Sequence, residues 1–361
     1  MKERTNFLYW LALQHLYYQK PLSGLKLIEK FGDPKKIFDL ASKLQNFDEL
    51  SLVRDFNSRE QCEEDLKKIK ESKITILNYS DLQYPKLLKE IHDPPLVIMV
   101  RGNIETLNKP CVAIVGSRLA TEHGREVAFE LAEELASEGI CVVSGMAYGI
   151  DASAHKGALN KGETIAVWGS GIDVCYPASF VDLSKRIERS GCIVSEFPLG
   201  TKPAPYYFPQ RNRIISGLSI GIVVVEAKEK SGSLITAKFA LDQGREIFAV
   251  PGMARGCANR GNHKLLKEGA VMVESGDEIL EVLRPHLPLE FKNPRHLSPD
   301  DNNVHPILNL VRRVGEVNLD IIVKETRMSC SDVLKELTRL IMDNAIEELP
   351  GKRFREKTNK E

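Results

Sequence analysis

From residue 5 to about residue 70, apolar positions recur at helical spacing: Leu8, Leu11, Leu13 and Leu16, then Leu25, Leu27, Ile28 and Phe31, then Ile37, Phe38 and Leu40. Pro21, Gly24, Gly32 and Pro34 cut this pattern into short helices. A small all-α domain is therefore predicted over 1–72. Its segment Leu22 to Gly32 reads in two ways. It has the form of a helix-turn-helix, like a SAM or helix-hairpin-helix module whose glycines let backbone approach phosphate, and equally that of a packing module with tight turns.

Beyond it the period changes. Two β-like runs, Ile74 to Leu77 and Leu96 to Val100, flank a proline-containing stretch. Strand-like runs then begin at Cys111, Ile140, Thr164, Gly191, Ile220 and Ile247, and they alternate with helical periods such as 124–137, 151–160 and 234–243. Near-continuous Val/Ile runs alternating with amphipathic helices predict a doubly wound parallel sheet, a Rossmann-like α/β domain over 73–284. Pro285, Pro288, Pro294 and Pro299 with Asp300 to Asn303 mark a linker over 285–303. Over 304–361, three helical periods precede two short strands around Pro350-Gly351, the order of a winged helix-turn-helix. Such a domain binds DNA through its third helix and wing or mediates protein contacts.

Composition narrows the functional classes. The chain has 361 residues, with 50 Lys+Arg against 50 Asp+Glu. That balance removes the simplest argument for a nucleic-acid partner and makes the distribution of charge the question. Seven scattered cysteines with no Cys-x-x-Cys pair argue against a disulfide framework and a zinc site. Cys111, Cys141, Cys175 and Cys192 read as core. No apolar run approaches the length of a membrane span, and a cytoplasmic protein with no metal or cofactor is expected.

The strands of the central domain tend to end in glycine, where open α/β sheets bind ligands. Val115-Gly116-Ser117-Arg118 combines a tight turn, a hydroxyl able to cap the next helix, and a guanidinium. Ser144-Gly145 opens a second such turn, leading to Asp151; Gly169-Ser-Gly171 with Tyr176-Pro177 forms a third; Ser231-Gly232-Ser233 forms a fourth. Together they describe a rim for phosphates or sugars. Neither G-x-G-x-x-G nor a P-loop is present, which disfavours conventional dinucleotide binding and P-loop ATP hydrolysis.

Tyr206-Tyr207-Phe208 precedes Arg211-Asn212-Arg213, and aromatic faces beside guanidiniums suit unpaired bases and their phosphates. The plainer expectation is that an aromatic or an arginine of this run is structural, for instance an Arg paired with Glu196 or Glu226. Acidic residues average about one in seven, yet none occurs over 197–225 or 247–267. The first window holds Lys202, Arg211 and Arg213; the second holds Arg255, Arg260, Lys264 and Lys267. A confined basic mouth on a neutral body follows. No catalytic constellation emerges, and His155, the sole histidine near a motif, reads as helix packing.

The ordered motifs Val-Gly-Ser-Arg118, Ser-Gly-Met-Ala-Tyr-Gly-Ile-Asp151, Ser195-Glu-Phe-Pro-Leu-Gly200, Phe-Pro-Gln-Arg-Asn-Arg-Ile-Ile-Ser-Gly-Leu218, Val-Val-Glu-Ala227, Ser-Gly-Ser-Leu-Ile-Thr-Ala237 and Phe-Ala-Val-Pro-Gly252 resemble those of the DNA processing protein A (DprA/Smf) family over roughly 82–273. The resemblance implies a non-enzymatic, sequence-independent binder of single-stranded DNA. Such a protein protects incoming strands in natural transformation, helps load the RecA recombinase past single-strand-binding protein, and forms a homodimer. Carried over by motif, it implies DNA contacts from Gly116, Ser117, Arg118, Gly145, Phe208, Arg211, Asn212, Arg213, Gly232, Ser233, Lys238 and Lys264. Phe180 and His263 depart from the family pattern, each standing where Asn is usual. A nucleotide-cleaving Rossmann enzyme of the phosphoribohydrolase kind, suggested by the glycine rim and Glu226, is the alternative from another class. A protein adaptor is the third reading.

Overall fold

The structure is a computed structural model that describes residues 2–18, 20–43, 50–56, 59–254, 257–287, 306–326, 328–342 and 345–356. Arg255 and most of the expected linker lie outside the described residues. The chain divides into two compact units, Met1–Pro288 and Leu289–Glu361.

Helices α1 (Lys2–Tyr17), α2 (Pro21–Phe31), α3 (Pro34–Lys43), α4 (Ser51–Arg54) and α5 (Arg59–Glu71) open the first unit. The helix-turn-helix reading of 22–32 gives way to one continuous helix, α2, with Pro21 in its first turn. Gly24 serves close packing: a Cβ there would lie 2.6 Å from Leu96 Cδ1. The helical module is joined to the α/β sheet through a shared core. Leu11, Leu13 and Ile37 cluster with Val97, Met99, Trp168 and Ile187, and Gln14 Nε2 donates to the Glu196 carbonyl at 2.5 Å. The boundary expected at 72–73 is thus a junction within one compact unit.

The strands are β1 (Thr75–Asn78), β2 (Val97–Gly102), β3 (Cys111–Val115), β4 (Cys141–Ser144), β5 (Thr164–Val167), β6 (Cys192–Ser195), β7 (Gly221–Val224), β8 (Glu246–Ala249) and β9 (Val271–Met272). They form one nine-stranded sheet in the order β1-β2-β6-β5-β4-β3-β7-β8-β9. From β6 to β9 every pairing is parallel, and only the β1–β2 and β2–β6 pairings are antiparallel. Helices α6 (Lys86–Lys89), α7 (Glu122–Ser137), α8 (Ile150–Lys161), α9 (Val181–Ser190), α10 (Tyr207–Gly217), α11 (Gly232–Asp242), α12 (Arg260–Lys267) and α13 (Gly276–Leu283) complete the unit. The Rossmann-like α/β fold is the observed one. The chain builds outward from β3 to β6, then returns to add β7, β8 and β9 on the other side of β3. The strand order therefore reverses between β3 and β7, and the loops leaving their carboxyl ends diverge to leave a crevice.

Cys111, Cys141 and Cys192 are core residues, whereas Cys175, read as another, is only half-buried. His155 is fully buried on α8, its Nδ1 lying 2.7 Å from Thr164 Oγ1. Burial, reinforced by Arg211, pushes its pKa down to about 3, so it packs as a neutral ring.

The second unit contains α14 (Pro306–Val314), β10 (Glu316–Asn318), α15 (Leu319–Thr326), α16 (Cys330–Met342), β11 (Ile346–Leu349) and β12 (Arg353–Glu356). The helical periods and the terminal hairpin were legible in the pattern. The short β10 was not, and it pairs with β12 to complete an antiparallel sheet ordered β10-β12-β11. Ile307, Val311, Ile322, Val333, Leu337 and Phe354 form its core.

Candidate nucleic-acid crevice

The crevice at the strand reversal has a volume of about 470 Å³. Its walls come from the end of β3, the β4–α8 loop, the first turn of α10 and the start of α11, with Val115, Arg118, Phe208, Arg211, Asn212 and Gly232 among the lining residues.

Gly116 is required by proximity, since a Cβ would lie 2.5 Å from Ile150 Cγ1 and 2.9 Å from the Glu226 carbonyl. The turn is fixed by the Ser117 amide, which donates to that carbonyl at 2.7 Å. Ser117 does not cap the next helix as expected. Its hydroxyl accepts from the Leu119 amide at 3.2 Å, and Thr121 is the cap of α7, accepting from Gly124 N at 3.0 Å. The buried Glu226 carboxylate accepts from Thr121 N at 3.0 Å and from its hydroxyl at 2.6 Å. The acid that suggested nucleotide cleavage is therefore engaged at a helix N-terminus, where a negative charge is favoured.

Arg118 leaves this turn exposed, with its guanidinium 4.8 Å from the Phe208 ring centroid. It has no ion-pair partner among the described residues. Tyr176, 43% exposed, brings a second ring to 5.7 Å from Phe208 with planes 33° apart. Phe208 in turn covers Gly169, where a Cβ would lie 2.9 Å from Phe208 Cδ1. A cation on an aromatic face, next to a second face, can hold a phosphate and a base together.

Arg211 sits below. It is 3% exposed, donates to the Val167 carbonyl at 2.5 Å, and lies against Gly145 so closely that a Cβ there would meet Nη1 at 2.1 Å. Gly145 is thus the seat of Arg211. Burial lowers the Arg211 pKa to about 10, partly offset by Asp151, so the guanidinium stays charged at neutral pH. Asp151, buried beside it, is raised by burial and held down in part by Arg211 and the Ala147 amide, which donates to it at 3.2 Å. Across the crevice, α11 begins at Gly232, and the Ser233 amide donates to the Ser231 hydroxyl at 3.3 Å. Ser231 caps it, and the Ser231 and Ser233 hydroxyls lie 2.7 Å apart. Asn212 Nδ2 reaches the Gly232 carbonyl at 3.5 Å.

Gly116, Arg118, Phe208, Arg211, Asn212, Gly232 and Ser233 all line this crevice. Five expected residues do not: Ser117 is buried in the turn, Gly145 borders the small adjoining cavity, and Arg213, Lys238 and Lys264 lie elsewhere. Arg213 follows Arg211 by two positions on α10, so it points away into the core, where it is 2% exposed and pairs with Glu196 and, at 3.1 Å, with Asp93. Burial, with Asp93 adding to it, pushes Glu196 up to about 7 against the pull of Arg213. Lys238 and Lys264 border a separate groove between α11 and α12, and Lys264 faces Glu268 at 3.7 Å. The acid-free windows therefore do not translate into an acid-free surface, because Asp93 and Glu196 come from outside the window to neutralise Arg213. Tyr176 and Asp151, which the sequence places on the glycine rim without assigning them a contact, both line the crevice. His263 places Nε2 3.1 Å from the Gly252 carbonyl and so ties down the loop after β8.

Fold and crevice define a Rossmann-like protein with its main crevice at the strand reversal. The chain belongs to the DNA recombination-mediator protein A family, whose model matches residues 75–284, and its role lies in DNA processing and recombination. It is 39% identical over 275 residues to Protein Smf of Escherichia coli, covering 74% of each chain. To the DNA processing protein DprA of Bacillus subtilis it is 42% identical over 227 residues, 62% of this chain and 76% of that one. The DprA structure from Streptococcus pneumoniae superposes with a TM-score of 0.64 at 36% identity, covering 76% of this chain and 95% of that one. The Helicobacter pylori protein, whose structure is described for its single-stranded DNA binding mode, gives a TM-score of 0.54 at 29% identity over 60% and 97% of the two chains. Among the described residues no helix is long and apolar enough to cross a membrane.

Proposed function

We propose that this protein binds single-stranded DNA without sequence preference and acts as a non-enzymatic recombination mediator. On this reading it protects incoming strands in natural transformation and helps load RecA past single-strand-binding protein, working in the cytoplasm as a homodimer. The observation that carries it is the Arg118 guanidinium, without an ion-pair partner among the described residues, over the Phe208 ring at the mouth of a crevice that the start of α11 also lines. Phosphate is recognised there by charge and backbone N–H groups and the base by an aromatic face, none of which reads sequence. The single-stranded DNA binding described for the Helicobacter pylori protein, which has the same fold, adds support.

The test is a titration with single- and double-stranded oligonucleotides of equal length at two salt concentrations. It is followed by RecA filament assembly on strands coated with single-strand-binding protein, with and without this protein. Preference for the single strand and faster assembly are expected. Equal affinity for both forms would overturn the binding reading, and unchanged assembly the mediator reading. Steady release of free base from nucleoside monophosphates would favour the cleaving enzyme, which the engagement of Glu226 with Thr121 disfavours.

A further inference from the structure

Two aromatic residues stand beside the crevice without lining it. Tyr148, on the β4–α8 loop, is 49% exposed, and its ring meets that of Phe180 at 5.0 Å between centroids with planes 58° apart. The Tyr148 and Ser179 hydroxyls hydrogen-bond at 2.9 Å, which ties the ring to the turn that carries Phe180. The loop beneath is fixed at both ends. Met146 is fully buried with a left-handed backbone, φ 56°, and its sulfur accepts from Trp168 Nε1 at 3.3 Å. Gly149, at φ 75°, lets the chain pass where a Cβ would lie 2.2 Å from the Ser117 carbonyl. Tyr148 is therefore presented to solvent by a rigid mount, with little rotamer freedom left to lose on binding.

Tyr148 also borders a small cavity shared with Arg118, Tyr176 and Phe208. The two aromatic pairs, Phe208 with Tyr176 and Tyr148 with Phe180, thus adjoin one another next to the Arg118 cation. The cavity holds about 30 Å³, room for one water and not for a base, so a strand would lay its bases on the outer ring faces. A path of successive faces with one phosphate anchor is the arrangement by which single strands are held without readout of sequence.

We propose that Tyr148, braced by Phe180, is a second base-stacking step that extends the strand path from the Arg118–Phe208 crevice over the carboxyl ends of β4 and β5. This rests on the single-strand reading given above. The experiment measures affinity for oligo-dT of increasing length, and for the longer oligonucleotides with one abasic position moved along the strand. The proteins compared are the wild type, Tyr148→Ala, Tyr148→Phe and Arg118→Ala.

Tyr148→Ala is expected to weaken binding of long oligonucleotides about tenfold and to leave the shortest binding length unchanged. Tyr148→Phe, which keeps the ring and loses only its hydroxyl bond to Ser179, is expected to retain most of the affinity for long oligonucleotides, and a loss as large as that of Tyr148→Ala would overturn stacking as the cause. One abasic position that weakens wild-type binding is expected to have no effect in Tyr148→Ala. Wild-type affinity of Tyr148→Ala at every length would overturn the proposal, as would an equal loss at every length, which would mean a distorted crevice. If Arg118→Ala binds all lengths like the wild type, the crevice reading fails and this step with it. Thermal melting accompanies each variant, and if Tyr148→Ala does not fold, Phe180→Ala takes its place with the same expected length dependence.

Discussion

The crevice and the C-terminal unit both display arginines, and they use them in opposite ways. In the C-terminal unit Arg353 reaches Glu316 at 2.6 Å and Arg355 reaches Glu347 at 2.5 Å, pairs that cross the antiparallel strands. At the crevice Arg118 rests on a ring and meets no carboxylate among the described residues, while Arg211 is spent on a backbone carbonyl. A cation is available to a ligand only where the fold has not already matched it, so the tally of basic residues says less than their partners do. Arg213 makes the same point within one helix: a residue of the same motif as Arg211, it is consumed by Glu196 and Asp93.

The largest effect that separates matched from unmatched cations is on stability. Arg213→Ala leaves Glu196 buried without its partner and is expected to lose about 3–5 kcal/mol of unfolding free energy in urea denaturation, with normal DNA affinity in the protein that remains folded. Unaltered stability would place Arg213 among the ligands after all.

A second effect comes from beneath the crevice. His155 has a folded pKa near 3 because burial and Arg211 oppose its charge. The unfolded chain takes up the proton first, near pH 6.5, so the contribution of the neutral ring is whole above that value. It is lost as pH falls toward 3, at roughly 1.4 kcal/mol per pH unit. His155→Gln is expected to flatten that acid limb in denaturation curves taken between pH 7 and 4.5; an unchanged limb would assign the acid sensitivity to other groups.

Arg118→Ala tests the crevice directly. It is expected to weaken oligo-dT binding about tenfold and to reduce the salt slope by about one, since one phosphate contact and its released counterions are removed. The melting temperature should not move, because the residue is exposed. Full affinity with an unchanged slope would dissolve the contrast between the two regions. The smallest effect belongs to Arg355→Ala, where a solvent-screened pair is expected to contribute under about 0.5 kcal/mol. A large loss of single-strand affinity in that variant would bring the C-terminal unit into the binding surface.

The alternation of Val/Ile runs with helical periods made the parallel sheet legible, along with most of its strands, because a sheet buried on both faces needs apolar residues at nearly every position. The elements not anticipated include β9, two residues long, β10, three residues long, and the helices α6, α9, α10, α12 and α13. The first two are too short for any periodicity. In α10 a run of two aromatics, Pro209 and two arginines hides a helix whose buried face includes charged residues. At the site, the glycine turns and Arg118 were visible as motifs. Tyr176 was legible only as part of a glycine turn on the rim and Tyr148 only as part of a motif; that their rings adjoin Phe208 and Phe180 was not, since each lies on its own loop.

The sequence by itself determined the fold class, the family and the rim of glycine turns, because strand burial and close backbone approach restrict residue type at each position. It could not determine which cations are free. That was decided in three dimensions, where Glu196 and Asp93 reach Arg213 from other parts of the chain while no carboxylate among the described residues forms an ion pair with Arg118. Charge pairing depends on distances across the fold, to which spacing along the chain is blind.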